Sequence, residues 1–426
     1  MGAALLAVQN GMEVLISDAG TISSKTKEWM EAKLIPFEEN GHNLDVLLQA
    51  DMIIKSPGIP PSASIILDLK KEKIPIISEI EWASRYCKGE MIAITGSNGK
   101  TTVTNLIAHL MDAAGESVVK CGNVGTSFSR AIVEREADYF IIEVSSFQLE
   151  DIVTFHPSIT VLTNITPDHL DRYHGDLKEY GLTKLRIAMN QTKEQFLVLG
   201  NVDEWTLNLI HDQKLKVSIK ELSYVVPGQV PWKDGVIHYD NPCLNGKHNA
   251  ANVSCAVQVC DLLGADKKAI EKGLMNFVND AHRMERVDDI DGVLWINDSK
   301  ATNVDAVYFA LEAQGRPIIW IAGGTDKGND YSSLTKVVKK HVKALVAMGV
   351  DNSKLLKAFD FLEPAIRDTH DMGSAVRLAN EMAEKGDVVL LSPACASFDL
   401  FDNYKHRGDR FREEVKALKK KNDIKK

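Results

Sequence analysis

Apolar runs of strand length recur along this chain, and each leads through a glycine or a turn into a helical pattern. They are MEVLISD from Met12, DMIIKSPG from Asp51, MIAITGSNGK from Met91, YFIIEVSS from Tyr139 and ITVLTNIT from Ile159, followed by GVLWINDS from Gly292, PIIWIAGG from Pro317 and DVVLLSPA from Asp387. Nearly unbroken apolar runs predict strands covered on both faces, as in a parallel sheet between helix layers. Strand–helix repetition of this kind predicts doubly wound α/β domains. No short repeat or low-complexity tract interrupts it. The final stretch, RFREEVKALKKKNDIKK, reads as a charged helix ending in a solvated basic tail.

The 426 residues suffice for two to four domains. With 44% hydrophobic and 26% charged residues, the composition excludes a disordered or fibrous chain. Lys plus Arg number 50 against 59 Asp plus Glu, so the net charge of -9 disfavours nucleic acid as a partner. Six cysteines are too few for a disulfide framework, and Cys243, Cys255 and Cys260 form no zinc-site spacing. They read as small buried thiols of a reducing compartment. No run approaches the length of a membrane span. The N-terminus carries no Lys or Arg before Lys25, so the expected location is the cytoplasm, without membrane insertion.

The strand and helix pattern places boundaries near Trp82–Lys88, before the strand at Met91, and near Asn279–Arg283, between a helix that begins near Asp266 and the next strand series. The expected domains are therefore 1–88, 89–280 and 281–426. Gly2-Ala-Ala-Leu-Leu-Ala starts as a helix that, in a nucleotide-binding unit, follows a strand and a glycine-rich turn. A shortened or mis-set start is the expectation there.

The sharpest local signal is Thr95-Gly96-Ser97-Asn98-Gly99-Lys100-Thr101-Thr102, between the MIAI strand and the helical TVTNLIAHLMDAAG. Glycines let the backbone turn so that successive N–H groups and a helix N-terminus face an anion. Lys100 is placed to reach the β- and γ-phosphates of ATP, and the Thr101 hydroxyl to ligate Mg²⁺. The spacing GxxxxGK[ST] is not fully met, because Ile94 stands at the first glycine position.

From this loop onward the chain resembles the Mur ligases, the ATP-dependent amide ligases of peptidoglycan precursor synthesis. The resemblance rests on SPGIP at Ser56, GNVG at Gly122, EVSSFQLE at Glu143, TPDHLDRYHG at Thr166 and TKLRIAMNQ at Thr183. GKHNAAN at Gly246, HRME at His282, NDSKATN at Asn297, GGTDKG at Gly323 and SPACASFD at Ser392 continue it in the family's order. Within the family these segments are most similar to the branch that adds D-glutamate to UDP-N-acetylmuramoyl-L-alanine. The resemblance implies three α/β domains. The first is Rossmann-like and holds the UDP-sugar, the central one is P-loop ATPase-like, and the last is Rossmann-like and holds the amino acid. It also implies a monomer whose partners are small molecules: the UDP-sugar, D-glutamate and ATP.

The implied chemistry activates a carboxylate by transfer of the γ-phosphoryl group and then lets an amine attack the acyl phosphate. Bringing two anions together demands cations and Mg²⁺. Glu143, at the end of an apolar strand, suits a metal-binding element beside the loop. His169 resembles the family's ligand for a second Mg²⁺. Lys184, taken alone, reads as an ordinary helix-surface lysine. The matching family lysine is carbamylated by CO₂, which turns a cation into an oxygen ligand near the two metals. Asn252 matches a residue near the adenine, and Arg283 and Asp298 match groups that reach the ATP phosphates and ribose. Lys300 adds to that clamp and to substrate binding. Asp18, Ser56, Gly58 and Asn123 match contacts to the UDP-sugar. Thr302, Lys327, Ser397 and Tyr404 match the D-glutamate pocket, Tyr404 at a position that is often Phe.

Two other readings stand beside this one. A sister amide ligase adds a different amino acid, or glutamate to a folate; the arginine-containing pocket motif of a diamino-acid branch is not seen. A nucleotide-binding interaction protein without activity has no reason to keep Lys100, Glu143, His169 and Lys184 together.

Overall fold

The computed structural model describes residues 1–222, 225–244 and 246–425, and the chain divides into two compact units. Met1–Val225, Gln229–Tyr239 and Ala251–Met275 make the first; Val226–Gly228, Asp240–Ala250 and Asn276–Lys426 make the second.

The first unit opens with helix α1 (Gly2–Gln9) and two small parallel pairs, β1 (Ile16–Ser17) with β2 (Phe37–Glu38) and β3 (Ile53–Lys55) with β4 (Ile76–Ser78). The runs from Met12 and Asp51 thus yield strands of two and three residues, half-buried rather than covered on both faces. A six-stranded, fully parallel sheet follows. Its strands are β5 (Glu90–Thr95), β6 (Val118–Gly122), β7 (Tyr139–Glu143), β8 (Ile159–Leu162), β9 (Phe196–Leu199) and β10 (Ser218–Glu221), in the order β10-β9-β8-β5-β7-β6. All four residues of β8 are buried, the two-faced burial that its unbroken ITVL run predicts. Helix α2 (Lys100–Ala113) follows β5, and α3 (Leu177–Leu185) follows β8. One core runs through the expected 82–88 boundary: Trp82 and Ala83 pack with Phe128, Phe140 and Ile142. Glu81, fully buried, accepts the backbone N–H groups of Val153, Thr154 and Phe155, each at 2.9 Å, which satisfies its charge. A two-stranded antiparallel hairpin, β11 (Gln229–Trp232) and β12 (Gly235–His238), ends the strands of this unit.

The second unit holds β13 (Glu285–Ile290), β14 (Val293–Asn297), β15 (Ile318–Ala322), β16 (Val342–Met348), β17 (Ile366–Thr369) and β18 (Val388–Leu391), in the order β13-β14-β18-β15-β16-β17. Only β13 is antiparallel to its neighbour. Every residue of β15 and β18 is buried. The terminal helix α4 (Tyr404–Lys425) starts earlier than the charged stretch suggests, and it is no solvated end throughout. Arg407, Phe411 and Val415 are buried, so its first turns are packed against the sheet. All six cysteines are free; Cys121, Cys255, Cys260 and Cys395 are buried. No described helix is long and apolar enough to cross a membrane.

Candidate active site

The loop between β5 and α2 lies where parallel strands end, the place where α/β sheets bind ligands. Gly96 has φ +147° and Gly99, the residue that caps α2, has φ +85°. A Cβ on Gly96 would strike Thr163 Oγ1, and one on Gly99 would strike the Asn252 carboxamide. Both glycines are therefore required by conformation and by space. The position held by Ile94 needs no glycine, because β5 continues through it, paired with Glu143 and Val161. Neighbouring turns fix the loop. Asn164 Oδ1 accepts the Asn98 N–H at 2.9 Å, and Ser97 Oγ donates to the Thr166 carbonyl at 2.7 Å. Lys100 Nζ donates to the carbonyls of Gly96 at 2.7 Å and Ser97 at 2.9 Å. Thr101 and Thr102 are buried in the first turn of α2.

Lys184 is the main surprise. It lies near the end of α3 but is buried, 1% exposed, and its Nζ donates to the same Gly96 carbonyl at 2.8 Å. The ammonium also sits 4.3 Å from the centre of the Tyr180 ring. Burial first, then the charge of Lys100, pushes its pKa well below the usual lysine value, while Asp168 pulls the other way. The surface reading from sequence is thus overturned: helical spacing could not show that the phosphate loop covers this face.

Glu143 ends β7 and is 2% exposed. Asn123 holds it twice: its N–H donates to the Glu143 carbonyl at 2.8 Å, and its Nδ2 to Oε1 at 3.0 Å. The glycine before it, Gly122 at φ +109°, has no room for a Cβ beside the Glu143 carbonyl. Asn123 therefore orients the carboxylate, beyond the sugar contact expected of it. His169 has φ +52°, its Nε2 is 3.6 Å from Asp168 Oδ2, and its ring packs edge-on against Phe147 with centroids 5.2 Å apart. Among the described residues, no three His, Cys, Asp or Glu side chains cluster to hold a metal by themselves.

The expected sugar contacts Asp18, Ser56 and Gly58 are exposed, at the ends of β1 and β3. A buried ionic cluster that the sequence did not reveal holds their neighbourhood. Lys55, 2% exposed at its side chain, pairs with Asp151 at 2.9 Å and Glu150 at 3.7 Å. Arg172 meets Glu150 through Nε at 2.9 Å and Nη2 at 2.6 Å. Lys55 and Arg172 both donate to the Ile59 carbonyl, at 3.0 and 3.2 Å. The Arg172 guanidinium also lies 4.2 Å over the Phe147 ring. Glu150 and Arg172 stand inside the EVSSFQLE and TPDHLDRYHG segments, the one signal that could have found them.

In the second unit, the loops after β14, β15 and β18 carry Asp298, Lys300, Thr302, Lys327 and Ser397, while Arg283 lies just before β13 and Tyr404 begins α4. Asp298 is 7% exposed, accepting from Met284 N–H at 3.2 Å and Ser392 Oγ at 3.1 Å. Burial pushes its pKa up to about 7, opposed by those two hydrogen bonds and by Arg283. Lys300 Nζ lies 5.3 Å from the centre of the Tyr404 ring. Thr302 is half-buried and Ser397 buried, 2% exposed. Lys327 stands exposed on a turn that Asp326 fixes, accepting from the Gly328 and Asn329 N–H groups at 2.7 and 3.0 Å.

A phosphate-cradling α/β unit, with a second α/β unit whose loops gather at parallel strand ends, defines the class: a phosphate-loop protein with an appended ligand domain. Three family descriptions match: MurD N-terminal domain over residues 3–65, Mur ligase middle domain over 94–260, and Mur ligase, glutamate ligase domain over 282–395. A curated relative from Christiangramia forsetii, named UDP-N-acetylmuramoylalanine–D-glutamate ligase, is 43% identical over 98% of this chain and 97% of its own. One of the same name from Porphyromonas gingivalis W83 is 41% identical over 98% and 96%. The crystal structure of UDP-N-acetylmuramate-alanine ligase from Thermotoga maritima shares the fold. Its TM-score is 0.62 at 19% identity, covering 98% of this chain and 96% of that one. The chain belongs to the Mur ligase family, among its UDP-N-acetylmuramoylalanine–D-glutamate ligases.

Proposed function

We propose that the protein is an ATP-dependent amide ligase that joins D-glutamate to UDP-N-acetylmuramoyl-L-alanine, a step toward the peptidoglycan precursor. One observation carries the reading. Lys100 and the buried Lys184 converge on the carbonyl of Gly96, in a chain whose relatives of that name match 98% of it. In this reading residues 1–88 bind the UDP-sugar, 89–280 bind ATP and 281–426 bind the amino acid. The substrate carboxylate attacks the γ-phosphorus and ADP leaves. The D-glutamate amine then attacks the acyl phosphate, and phosphate departs as the amine loses its proton. Lys100 neutralises the transferred group, and the N-terminus of α2, from Gly99 to Thr102, holds the phosphates. Asn252, against Gly99, is assigned to the adenine, and Arg283, Asp298 and Lys300 to the ATP phosphates and ribose.

The donors present fit Mg²⁺. The Thr101 hydroxyl and the Glu143 carboxylate are hard oxygen ligands, and Mg²⁺ is usually held by one or two carboxylates plus substrate phosphates. Bound there, Mg²⁺ would supply charge neutralisation for phosphoryl transfer. His169 and a carbamate on Lys184 would hold a second ion. A carbamate forms when an uncharged amine adds to CO₂ and releases a proton, and the burial that lowers the Lys184 pKa favours that uncharged form. ATP as substrate suits the cytoplasm. The product feeds cell-wall growth, on which cell shape and division depend.

The test is phosphate release with ATP, UDP-N-acetylmuramoyl-L-alanine and a panel of amino acids. D-Glutamate should be used, with L-glutamate and D-alanine at least about 10²-fold poorer, since a misplaced amine costs about that much. Equal use of L-glutamate would remove the D-glutamate assignment and leave the ligase fold standing.

A further inference from the structure

Arg407 is 1% exposed, yet among the described residues no carboxylate oxygen lies within 4 Å of its guanidinium. Its partners are neutral. Nε donates to Ser299 Oγ at 3.0 Å and Nη2 to the Ser299 carbonyl at 2.8 Å. Nη1 donates to the carbonyls of Cys395 at 3.1 Å and Ala396 at 3.3 Å. Ala396 in turn exchanges backbone hydrogen bonds with Thr325, at 2.9 and 3.2 Å. One side chain therefore gathers the loop after β14, the loop after β18 and, through Ala396, the loop after β15. Those loops carry Thr302, Ser397 and Lys327, and Tyr404 begins the helix that bears Arg407 itself.

Burying a permanent charge without a counter-ion in contact is costly: desolvation pulls even the guanidinium pKa down to about 10, although Cys395 and the Asp399 carboxylate, acting from beyond contact distance, oppose it. A purely structural stitch between carbonyls could be made by a neutral side chain at lower cost. We propose that Arg407 is a specificity-determining residue: its positive charge beneath these loops, with no described carboxylate in contact and Asp399 only at longer range, selects an amino-acid substrate with a second carboxylate. The substrate brings a further anion. In a dry site such a field acts at several ångströms without direct contact. This rests on the D-glutamate reading above and deepens it.

The experiment compares D-glutamate with D-glutamine, its neutral near-isostere, in wild type, Arg407→Gln and Arg407→Lys. Arg407→Gln should raise the KM for D-glutamate at least about tenfold and leave the KM values for ATP and the UDP-sugar within about twofold. The D-glutamate over D-glutamine ratio of kcat/KM should fall by a similar factor. Arg407→Lys, which keeps the charge but not the fork, should hold that ratio within about threefold of wild type. A ratio unchanged in Arg407→Gln would overturn the proposal, as would its collapse in Arg407→Lys. If Arg407→Gln does not fold, the Arg407→Lys ratio decides alone. A wild type that ignores D-glutamate would overturn the function reading itself, an outcome separate from either of these.

Discussion

A lysine amine held against a carbonyl in a phosphate loop sets the first residue-scale prediction. If Lys184 serves as a carbamate, its essential atoms are anionic oxygens. Lys184→Ala should then lose activity by at least about 10³-fold and recover part of it with millimolar short carboxylic acids such as acetate. Intact-protein mass spectra of wild type should show the added CO₂ mass under gentle ionisation. Full activity of a bare lysine would refute the role. Asp298 gives a second prediction with a definite sign. Its folded pKa of about 7 lies above the ordinary aspartate value of 3.8, so the folded state binds more protons between these limits. Its contribution to stability is present at low pH and is lost as pH rises from about 4 through 7. Asp298→Asn keeps an acceptor for the Met284 N–H and removes the titration. The variant's stability relative to wild type should therefore rise by on the order of 2 kcal/mol or more between pH 5 and pH 8, read by urea unfolding. A constant difference across that range would show that Asp298 is not buried as an acid.

At the scale of elements, Arg172 ties together segments far apart in sequence. It links the Ile59 carbonyl, next to the loop bearing Ser56 and Gly58, to Glu150 and to Phe147, whose ring packs on His169. One guanidinium thus joins the loop bearing Ser56 and Gly58 to the segment of His169. Arg172→Ala should cost about 2 kcal/mol of stability, since Glu150 then keeps only the Tyr173 hydroxyl at 3.2 Å and Lys55 at 3.7 Å among its described side-chain partners. It should also raise the KM for the UDP-sugar about tenfold while changing that for D-glutamate little. Arg172→Lys should recover stability better than KM, because a single ammonium does not reproduce the two-pronged contact. A KM for the UDP-sugar equal to wild type in Arg172→Ala would show the cluster to be scaffold alone. This network also marks where sequence reading stopped. The glycine loop announces itself because its turn, lysine and helix start are contiguous. The charges of Lys55, Glu150 and Arg172 look like surface residues until the fold buries them together.

For the whole molecule, nucleotide binding and stability are linked. A non-hydrolysable ATP analogue with Mg²⁺, at a hundredfold excess over its Kd, should stabilise the folded chain by about 2.7 kcal/mol. Scanning calorimetry should show a rise of several degrees in the transition of the unit that holds the phosphate loop. Lys100→Ala, at the same analogue concentration, should lose most of that rise. A shift of equal size in both proteins would mean that the loop does not hold the phosphates.

Sequence alone determined the α/β class, the parallel sheets and the phosphate loop, because each depends on neighbours in the chain. Unbroken apolar runs such as ITVL and IIWIA specify strands covered on both faces. A tight turn before a helix needs its glycines at fixed spacing. The ordered motifs likewise identified the family and proposed Glu143, His169 and Lys100. Tertiary structure decided what those local signals could not. It shortened the first two strands to half-buried pairs and packed the start of α4. It turned Lys184 from a helix-surface lysine into a buried amine on Gly96, and Asn123 into the residue that orients Glu143. It left Arg407 buried among carbonyls, with no carboxylate among the described residues in contact and Asp399 acting at longer range. The physical reason is common to all of these. Periodicity and turn chemistry are local, whereas the burial of a charge and the identity of its partner depend on segments that meet only in the folded chain.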